Sequence, residues 1–313
     1  MGWRSLYLSN KHYLELSIDN QRLSIQQDNE APAHFRIEDI NFILIDSYDF
    51  KISGRVLEAV ASNHIPLVLT SVKDHMPCLQ LTNPYSSHHQ IGRVVTAQSK
   101  LTQKFKLELW KKIIVHKICS QGILIDEEEQ SETMQQQATK AKSTASLLGV
   151  EGSWAKFYWK RLVKNDAFNR TPRVYGDPND CMNSFLNYTY AIIRARVSSA
   201  IAENGMLPLF SIFHRRDYNP FALADDMIEP YRWVADKLFR EHFEEIISND
   251  EPFLTVSHKK LALSVLHQKV FIPSLKRSFA LDETIRIGMR GLKESILSKT
   301  PNALESTLCH IPQ

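Results

Sequence analysis

The spacing of the apolar residues changes near residue 90, and this change limits the possible folds more than any other feature of the sequence. Before it, short apolar runs stand between turn-forming residues, as in NFILI (41–45) and PLVLT (66–70), which is typical of strands. Asp19-Asn20 between two alternating runs predicts a hairpin, and Ser53 predicts the N-cap of a short helix. The beginning of the chain therefore reads as a small, mostly β domain.

Beyond this point the apolar residues recur at helical spacing. A stripe at steps of four predicts one long helix over 94–119, and it consists of Leu101, Phe105, Leu109 and Ile113. The polar segment 126–149 predicts an exposed or loosely ordered helical connector. Further helices are predicted over 153–163, 184–205, 225–248, 257–268 and 282–298.

These patterns predict an α+β fold, with a small N-terminal β-rich domain followed by a larger all-α domain. We expect the β-rich domain over residues 1–82, a linker over 83–92 and the α-helical domain over 93–313. No apolar run is long enough to span a membrane, and the first residues lack the pattern of a secretory signal. The four cysteines are scattered without a CxxC pair, which predicts a reducing, cytoplasmic location.

Glycine usage excludes two common classes of enzyme. Only 10 of the 313 residues are glycine, and they form neither GxGxxG nor GxxxxGK. Those motifs supply the backbone cradles that hold dinucleotides and nucleoside triphosphates. We therefore exclude Rossmann dehydrogenases and P-loop ATPases.

Charge is distributed more unevenly than the formal net charge of +3 suggests. Residues 151–216 hold ten Lys and Arg against five acids, whereas residues 217–251 hold ten acids against three Lys and Arg. Carboxylates next to a basic stretch suit metal-dependent chemistry on a phosphate polyanion. The alternative is a solvated basic helix followed by a solvated acidic one, and charge alone leaves both open.

Metal-type ligands occur in three places. Glu151 stands between two glycines, and we expect it just before a helix that is capped by Ser153. His214 follows an apolar run. Helical spacing places Asp225, Asp226 and Glu229 on one face, where their mutual repulsion requires a compensating cation, either a divalent ion or the nearby Arg232. Each residue alone also has an ordinary structural explanation, such as a favourable charge at a helix start.

Four motifs, in order, carry a family resemblance over most of the chain. LLGVEG, DPNDCMNSFLNYTYAII, GMLPLFSIFH and LADDMIEPYR together resemble the CRISPR adaptation integrases, the metal-dependent endonucleases of spacer acquisition. The N-terminal segments NFILID, ISGRVLEAV and IPLVLTSVKDHMP fit the same family. Departures occur at Cys181, Met182 and Ile228, and they keep hydrophobic character. The form with Glu229 is most similar to type II systems, which also carry an RNA-guided effector nuclease.

The resemblance implies a catalytic site with a metal ion. It assigns Glu151, His214 and Glu229 as catalytic metal ligands and Asp226 as an auxiliary acid. Two carboxylates and an imidazole suit Mg²⁺ or Mn²⁺. The implied reaction joins the 3′-hydroxyl of a foreign DNA fragment to the CRISPR repeat by transesterification.

The implied partners are double-stranded DNA, as incoming fragment and as repeat, and other proteins. The resemblance implies a homodimer through the β-rich domain, and a heterohexamer with a small ferredoxin-like adaptation protein. The type II effector nuclease is a further implied partner. Basic residues next to the candidate ligands are predicted to contact DNA, namely Lys156, Lys160, Arg161, Lys164, Arg170, Arg173, Arg215 and Arg216.

Two other functions stay open at this point. One is a non-catalytic DNA-binding scaffold that kept the fold, although all three candidate ligands are present. The other is a metal-dependent nuclease that acts on branched DNA and has no joining activity.

Overall fold

The computed structural model describes residues 2–9, 13–71, 77–81, 90–163, 171–174, 179–214, 219–248 and 253–311. Strands dominate up to residue 81 and helices dominate from residue 91, so the predicted α+β fold class is confirmed. Of the predicted linker, residues 83–89 lie outside the described residues. The division into domains stays a prediction.

The N-terminal strands form two sheets. Their bounds are β1 Arg4–Leu8, β2 Leu14–Asp19, β3 Arg22–Gln27, β4 Ala33–Arg36, β5 Ile40–Ile45, β6 Lys51–Ile52, β7 Leu67–Thr70 and β8 Pro77–Leu81. One sheet has the order β1-β5-β7-β8, in which the first three strands are parallel and β8 is antiparallel. The other has the order β4-β3-β2-β6, with antiparallel neighbours except for the parallel pair β2 and β6.

Two local sequence signals are confirmed in this region. Asn20 and Gln21 have φ of 47° and 62°, which is the left-handed conformation that a two-residue hairpin between β2 and β3 needs. Helix α1, Gly54–Ser62, begins where the Ser53 hydroxyl accepts a hydrogen bond from the Val56 backbone N–H.

The described helices of the larger region have the bounds α2 Ile91–Ser99, α3 Gln103–Leu124, α4 Glu128–Lys140, α5 Thr144–Trp159, α6 Cys181–Glu203, α7 Ala222–Ile228, α8 Arg232–Glu241, α9 Phe243–Ile247, α10 Val256–Leu263, α11 Leu281–Ser298 and α12 Asn302–Glu305. A 3-10 turn, Glu229–Tyr231, joins α7 to α8. A hairpin of β9, Lys269–Ile272, and β10, Arg277–Ala280, precedes α11.

Two predictions about these helices are wrong in detail, and of the two forms predicted for segment 126–149 the structure has the exposed helical one. The single helix over 94–119 is two helices, because Thr102 caps a new helix by accepting from the Phe105 N–H. The helix over 225–248 is broken at Glu229–Tyr231, where Pro230 cannot donate a backbone hydrogen bond. Segment 126–149 is helical, with α4 packed on α3, so it is an ordered part of the fold.

Strand β5 connects the two parts of the fold. All six of its residues are buried, with Phe42 and Leu44 in the core shared with the helices and Ile43 and Ile45 in a core with the second sheet. The sheet that contains β5 is therefore covered on both faces, as parallel sheets usually are. In the described part of the chain, no helix is long and apolar enough to cross a membrane.

A buried ion pair fastens this sheet to the helices. Lys259 of α10 places its Nζ 2.6 Å from Oδ2 of Asp46, directly after β5. The same carboxylate accepts hydrogen bonds from the hydroxyls of Tyr7 and Thr70 at 2.5 and 2.7 Å. These contacts fix the position of α10 relative to strands β1, β5 and β7.

Candidate metal centre

Glu151 lies in the middle of a helix, so the expectation of a helix start at Ser153 is wrong. Helix α5 begins earlier, where the Ser143 hydroxyl accepts from the Ser146 N–H, and the Ser153 hydroxyl donates to the Gly149 carbonyl. Leu147, Trp154 and Tyr158 are buried on the same face of the helix as Glu151, and their packing keeps α5 helical through both glycines.

His214 is oriented by Asp226. Asp226 is fully buried, and its Oδ2 accepts hydrogen bonds from the backbone N–H groups of Ile212 and Phe213 at 2.6 and 3.0 Å. Its Oδ1 accepts from the His214 N–H at 2.9 Å and lies 2.7 Å from Nδ1 of the same residue. Nε2 is then the nitrogen that could bind a metal ion, with the carboxylate as the outer partner that many metal-binding histidines have.

The three acids of 225–229 point in different directions, and the prediction that they share a face is wrong. Asp225 pairs with Arg194 at 2.7 Å and accepts from the Asn219 amide, on the outside of α7. Asp226 points inward to the segment before His214. Glu229 lies beyond the helix that carries the two aspartates, because α7 ends at Ile228 and the chain continues as a 3-10 turn.

Lys117 of α3 connects Glu151 to Glu229, and it was not predicted from the sequence. Its Nζ lies 2.6 Å from Oε1 of Glu151 and 2.7 Å from Oε2 of Glu229. Lys117 follows Ile113 by four residues, so it continues the apolar stripe on the buried side of α3. A lysine on such a stripe was the signal that could have identified it.

A second cation, Arg232, holds the other oxygen of Glu229. Arg232 Nε lies 2.9 Å from Glu229 Oε1, so this arginine compensates the charge of Glu229. Arg232 was one of the two compensating cations expected from the sequence, the other being a divalent ion. The guanidinium also lies over the Tyr190 ring, 4.6 Å from its centroid. Below it, the buried carboxylate of Asp236 accepts hydrogen bonds from the hydroxyls of Tyr158, at 2.7 Å, and Tyr190. Glu229 therefore stands on a buried network that links three helices.

The electrostatics of the site follow from these pairs. Burial raises the pKa of Glu229, but Arg232 and Lys117 outweigh it, so its pKa lies below the ordinary value. Burial lowers the pKa of Lys117, but Glu229 and Glu151 outweigh it, so its pKa is raised. Burial lowers the pKa of His214, but the hydrogen bond and charge of Asp226 raise it overall. The charges of Glu229 and Asp225 also raise the pKa of His214.

The donor set suits a hard divalent ion. Carboxylate oxygens and an imidazole nitrogen are ligands that Mg²⁺ and Mn²⁺ accept. Glu229 Oε2 is buried, and the Lys117 ammonium lies 2.7 Å from it. Among the described residues, however, no three acids, histidines or cysteines converge around one point as a bound ion requires. Lys117 occupies the space between the two carboxylates.

The predicted DNA contacts have different surroundings. Lys156 and Lys160 are exposed on α5. Arg161 is exposed and pairs with Glu127 at 2.9 Å. Arg173 donates within the protein, to the amide oxygens of Asn183 and Asn187. Four further predicted contacts lie outside the described residues, namely Lys164, Arg170, Arg215 and Arg216.

Comparisons with known proteins agree on one family. The family model described as CRISPR associated protein Cas1 matches residues 6–277. The CRISPR-associated endonuclease Cas1 of Neisseria meningitidis serogroup C (strain 8013) is 32% identical over 274 residues, which cover 87% of this chain and 86% of that protein.

Solved structures share the fold at lower sequence identity. A casposase bound to integration product superposes with a TM-score of 0.79 at 20% identity, covering 95% of this chain and 92% of that one. A Cas6-RT-Cas1–Cas2 complex superposes with a TM-score of 0.74 at 16% identity, covering 96% of this chain and 36% of that one. At these identities the superpositions show a common fold.

Proposed function

The chain belongs to the Cas1 family of CRISPR-associated proteins, and from this premise we propose that it is a metal-dependent DNA endonuclease and integrase of CRISPR adaptation. The proposed reaction joins the 3′-hydroxyl ends of foreign DNA fragments to the CRISPR repeat by transesterification. The Neisseria relative is named an endonuclease, which supports the nuclease part, and the casposase is bound to its integration product, which supports the joining part.

The observation that carries the proposal is the meeting of two carboxylates from distant segments. Glu151 from α5 and Glu229 from the 3-10 turn both contact one nitrogen, within 2.7 Å. His214 lies on a third segment, where the buried Asp226 fixes its ring. Paired carboxylates and an imidazole are residue types that a phosphoryl-transfer site uses.

The groups that would hold Mg²⁺ or Mn²⁺ are the carboxylates of Glu151 and Glu229 and the imidazole Nε2 of His214. When bound, such an ion polarises the scissile phosphate and lowers the pKa of an attacking hydroxyl. Asp226 keeps the imidazole in one orientation by engaging Nδ1, which leaves Nε2 as the nitrogen for the ion. Arg232 keeps Glu229 ionised and in place.

The exposed face of α5 supports a DNA-binding role beside these residues. Gly149, Gly152, Lys156 and Lys160 lie on the exposed side of this helix, at steps of three or four residues. Because the two glycines have no side chains, the backbone of the helix is accessible next to Glu151. The two lysines add positive charge further along the same face. We propose that the phosphate backbone of DNA lies along this face.

The proposed partners follow from the family. We propose a homodimer through the strand-rich region, and a heterohexamer with a small ferredoxin-like adaptation protein. One structural neighbour is a complex of Cas6-RT-Cas1 with Cas2, which supports a protein partner in general. The type II effector nuclease is a proposed further partner.

A strand-transfer assay tests the proposed function. Labelled DNA with free 3′-hydroxyl ends is incubated with a repeat-containing plasmid, Mn²⁺ and the protein, and joined product is measured. We expect Glu151→Gln and Glu229→Gln to abolish joining while circular dichroism shows intact helices. Glu305→Gln is the matched control, because Glu305 is half-exposed and pairs with Lys112 away from the site, and it should join normally.

The assay also separates the alternative functions. Joining that survives Glu229→Gln would refute the ligand assignment. Cleavage of branched DNA without joining would favour the nuclease for branched DNA. DNA binding without cleavage or joining would favour the non-catalytic scaffold.

A further inference from the structure

Lys117 is held where two candidate metal ligands meet. Its side chain is 11% exposed, and those of Glu151 and Glu229 are 17% and 7% exposed. Helix α3, which carries Lys117, packs against both α5 and the 3-10 turn Glu229–Tyr231. The ammonium therefore reaches both carboxylates from a rigid helix that lies between the elements that carry them.

The two carboxylates are compensated by protein cations. Lys117 contacts one oxygen of each, and Arg232 contacts the remaining oxygen of Glu229. Without Lys117, two largely buried negative charges would face each other, which is strongly unfavourable in a region of low dielectric. Lys117 therefore permits both glutamates to stay ionised and close together.

Packing alone does not account for a lysine at this position. The preceding residues of the same stripe, Leu109 and Ile113, are apolar and completely buried. Burying an ammonium has a large desolvation cost, and well-packed apolar residues often replace buried ion pairs without loss of stability. A charged residue on this stripe points to a role for the charge itself.

We propose that Lys117 is a placeholder cation, which holds Glu151 and Glu229 together in the metal-free protein and is displaced when the divalent ion binds. This inference rests on the proposed function, because it assumes that both glutamates are metal ligands. Lys117 is a positioning residue in this scheme. It sets the spacing of the carboxylates, and it competes with the ion for their oxygens.

The side chain of lysine suits this exchange. Its charge is a compact point on a flexible stem of four carbons, so the ammonium can withdraw while α3 stays in place. Both glutamate oxygens lie within 2.7 Å of Nζ, so they are less than twice that distance apart. Two ligands on opposite sides of an octahedral ion at about 2.1 Å are about 4.2 Å apart, which lies within this limit.

Two measurements on Lys117→Met test the proposal. Isothermal titration gives the Mn²⁺ affinity, and thermal unfolding in EDTA gives the stability of the metal-free protein. We expect Mn²⁺ to bind about tenfold more tightly or better, because the competing charge is gone. We expect the unfolding temperature in EDTA to fall by several degrees, and Mn²⁺ to restore most of the loss.

Lys112→Met is the matched control on the same helix. Lys112 is half-exposed and pairs with Glu305 at 2.7 Å, away from the two candidate ligands. This variant should bind Mn²⁺ as the wild-type chain does and unfold at nearly the same temperature.

If Lys117 only stabilises the fold, removing it cannot strengthen Mn²⁺ binding. Unchanged or weaker Mn²⁺ binding by Lys117→Met would therefore overturn the proposal. If Lys117→Met does not fold in EDTA, refolding with Mn²⁺ decides: recovery supports the placeholder role, and failure to recover refutes it. Mn²⁺ binding that survives Glu229→Gln in an otherwise wild-type chain would instead refute the proposed metal site itself. The two failures are therefore distinguishable.

Discussion

Asp226 and His214 are joined twice, because one oxygen of the Asp226 carboxylate accepts the His214 backbone N–H at 2.9 Å and lies 2.7 Å from its ring Nδ1. A single buried side chain thus sets both the path of the backbone and the orientation of the imidazole. The second carboxylate oxygen binds the N–H groups of the two preceding residues. Asp226 acts on the candidate metal centre through His214.

Asp226→Asn should weaken Mn²⁺ binding by about tenfold to a hundredfold. The amide places an NH₂ group where the carboxylate now accepts hydrogen bonds, so at least one backbone N–H or the ring nitrogen loses its partner. Isothermal titration measures the affinity. The Asp126→Asn control, which changes an exposed acid between α3 and α4, should bind Mn²⁺ normally. Equal affinity in both variants would show that Asp226 does not orient the ligand.

Acid should destabilise the protein through His116. Burial and the neighbouring His310 lower the pKa of His116 from 6.5 to about 3. Between these values the unfolded chain binds a proton that the folded chain does not, so stability falls as the pH drops below 6.5. At pH 5 the loss is about 2 kcal/mol relative to pH 7.

Urea unfolding in EDTA at pH 7 and pH 5 measures this loss. His116→Gln removes the titrating ring and should reduce the difference between the two pH values by about 2 kcal/mol. His34→Gln, which changes an exposed histidine of β4, should leave the difference as it is in the wild-type chain. An identical pH dependence in His116→Gln would show that this histidine is not the origin of the effect.

Gly149→Ala and Gly152→Ala should each make the protein more stable and less active. A Cβ at either position meets nothing within 4 Å, and alanine favours a helix interior by about 1 kcal/mol. The same methyl groups would occupy the bare face of α5 on which we place the DNA backbone. We expect higher unfolding temperatures, unchanged Mn²⁺ affinity and reduced strand transfer.

Gly54→Ala is the control for these glycine variants. A Cβ there also meets nothing within 4 Å, but Gly54 lies on α1, away from the candidate metal centre. Strand transfer should stay at the wild-type level. If Gly149→Ala and Gly152→Ala also join DNA at that level, DNA does not approach this face closely.

Lys259→Met should destabilise the protein by about 3 kcal/mol, because it leaves the buried carboxylate of Asp46 without its cation. Adding Asp46→Asn should recover part of this loss, and urea unfolding of both single variants and the double variant gives the coupling. Lys260→Met, which changes the adjacent exposed lysine, should have little effect. Strictly additive losses would contradict an energetic link between Lys259 and Asp46.

Local signals in the sequence predicted the strand-rich region well. The hairpin after β2 and the cap at Ser53 depend on a few neighbouring residues, so a short stretch of sequence contains all the information they need. The hairpin of β9 and β10 was missed, because its strands have four residues each and show no long alternation.

The candidate metal centre was predicted only in part. Glu151, His214 and Glu229 were named from a family resemblance. Their spacing in the sequence does not determine how far apart they lie in the fold. Glu151 was expected just before a helix because Ser153 was predicted as the N-cap, but the buried face of α5 extends the helix back to Thr144. Lys117 was missed because its role depends on two partners that lie 34 and 112 residues further along the chain.

The wide separation of Lys117, Glu151, His214 and Glu229 along the chain has a consequence during synthesis. Glu229 leaves the ribosome more than a hundred residues after Lys117, and the helices must then pack before Lys117 contacts both glutamates. An incomplete or unfolded chain has no paired carboxylates to act on DNA. Under the proposed function, a nascent chain therefore cannot cut DNA until its helical region has been translated and folded.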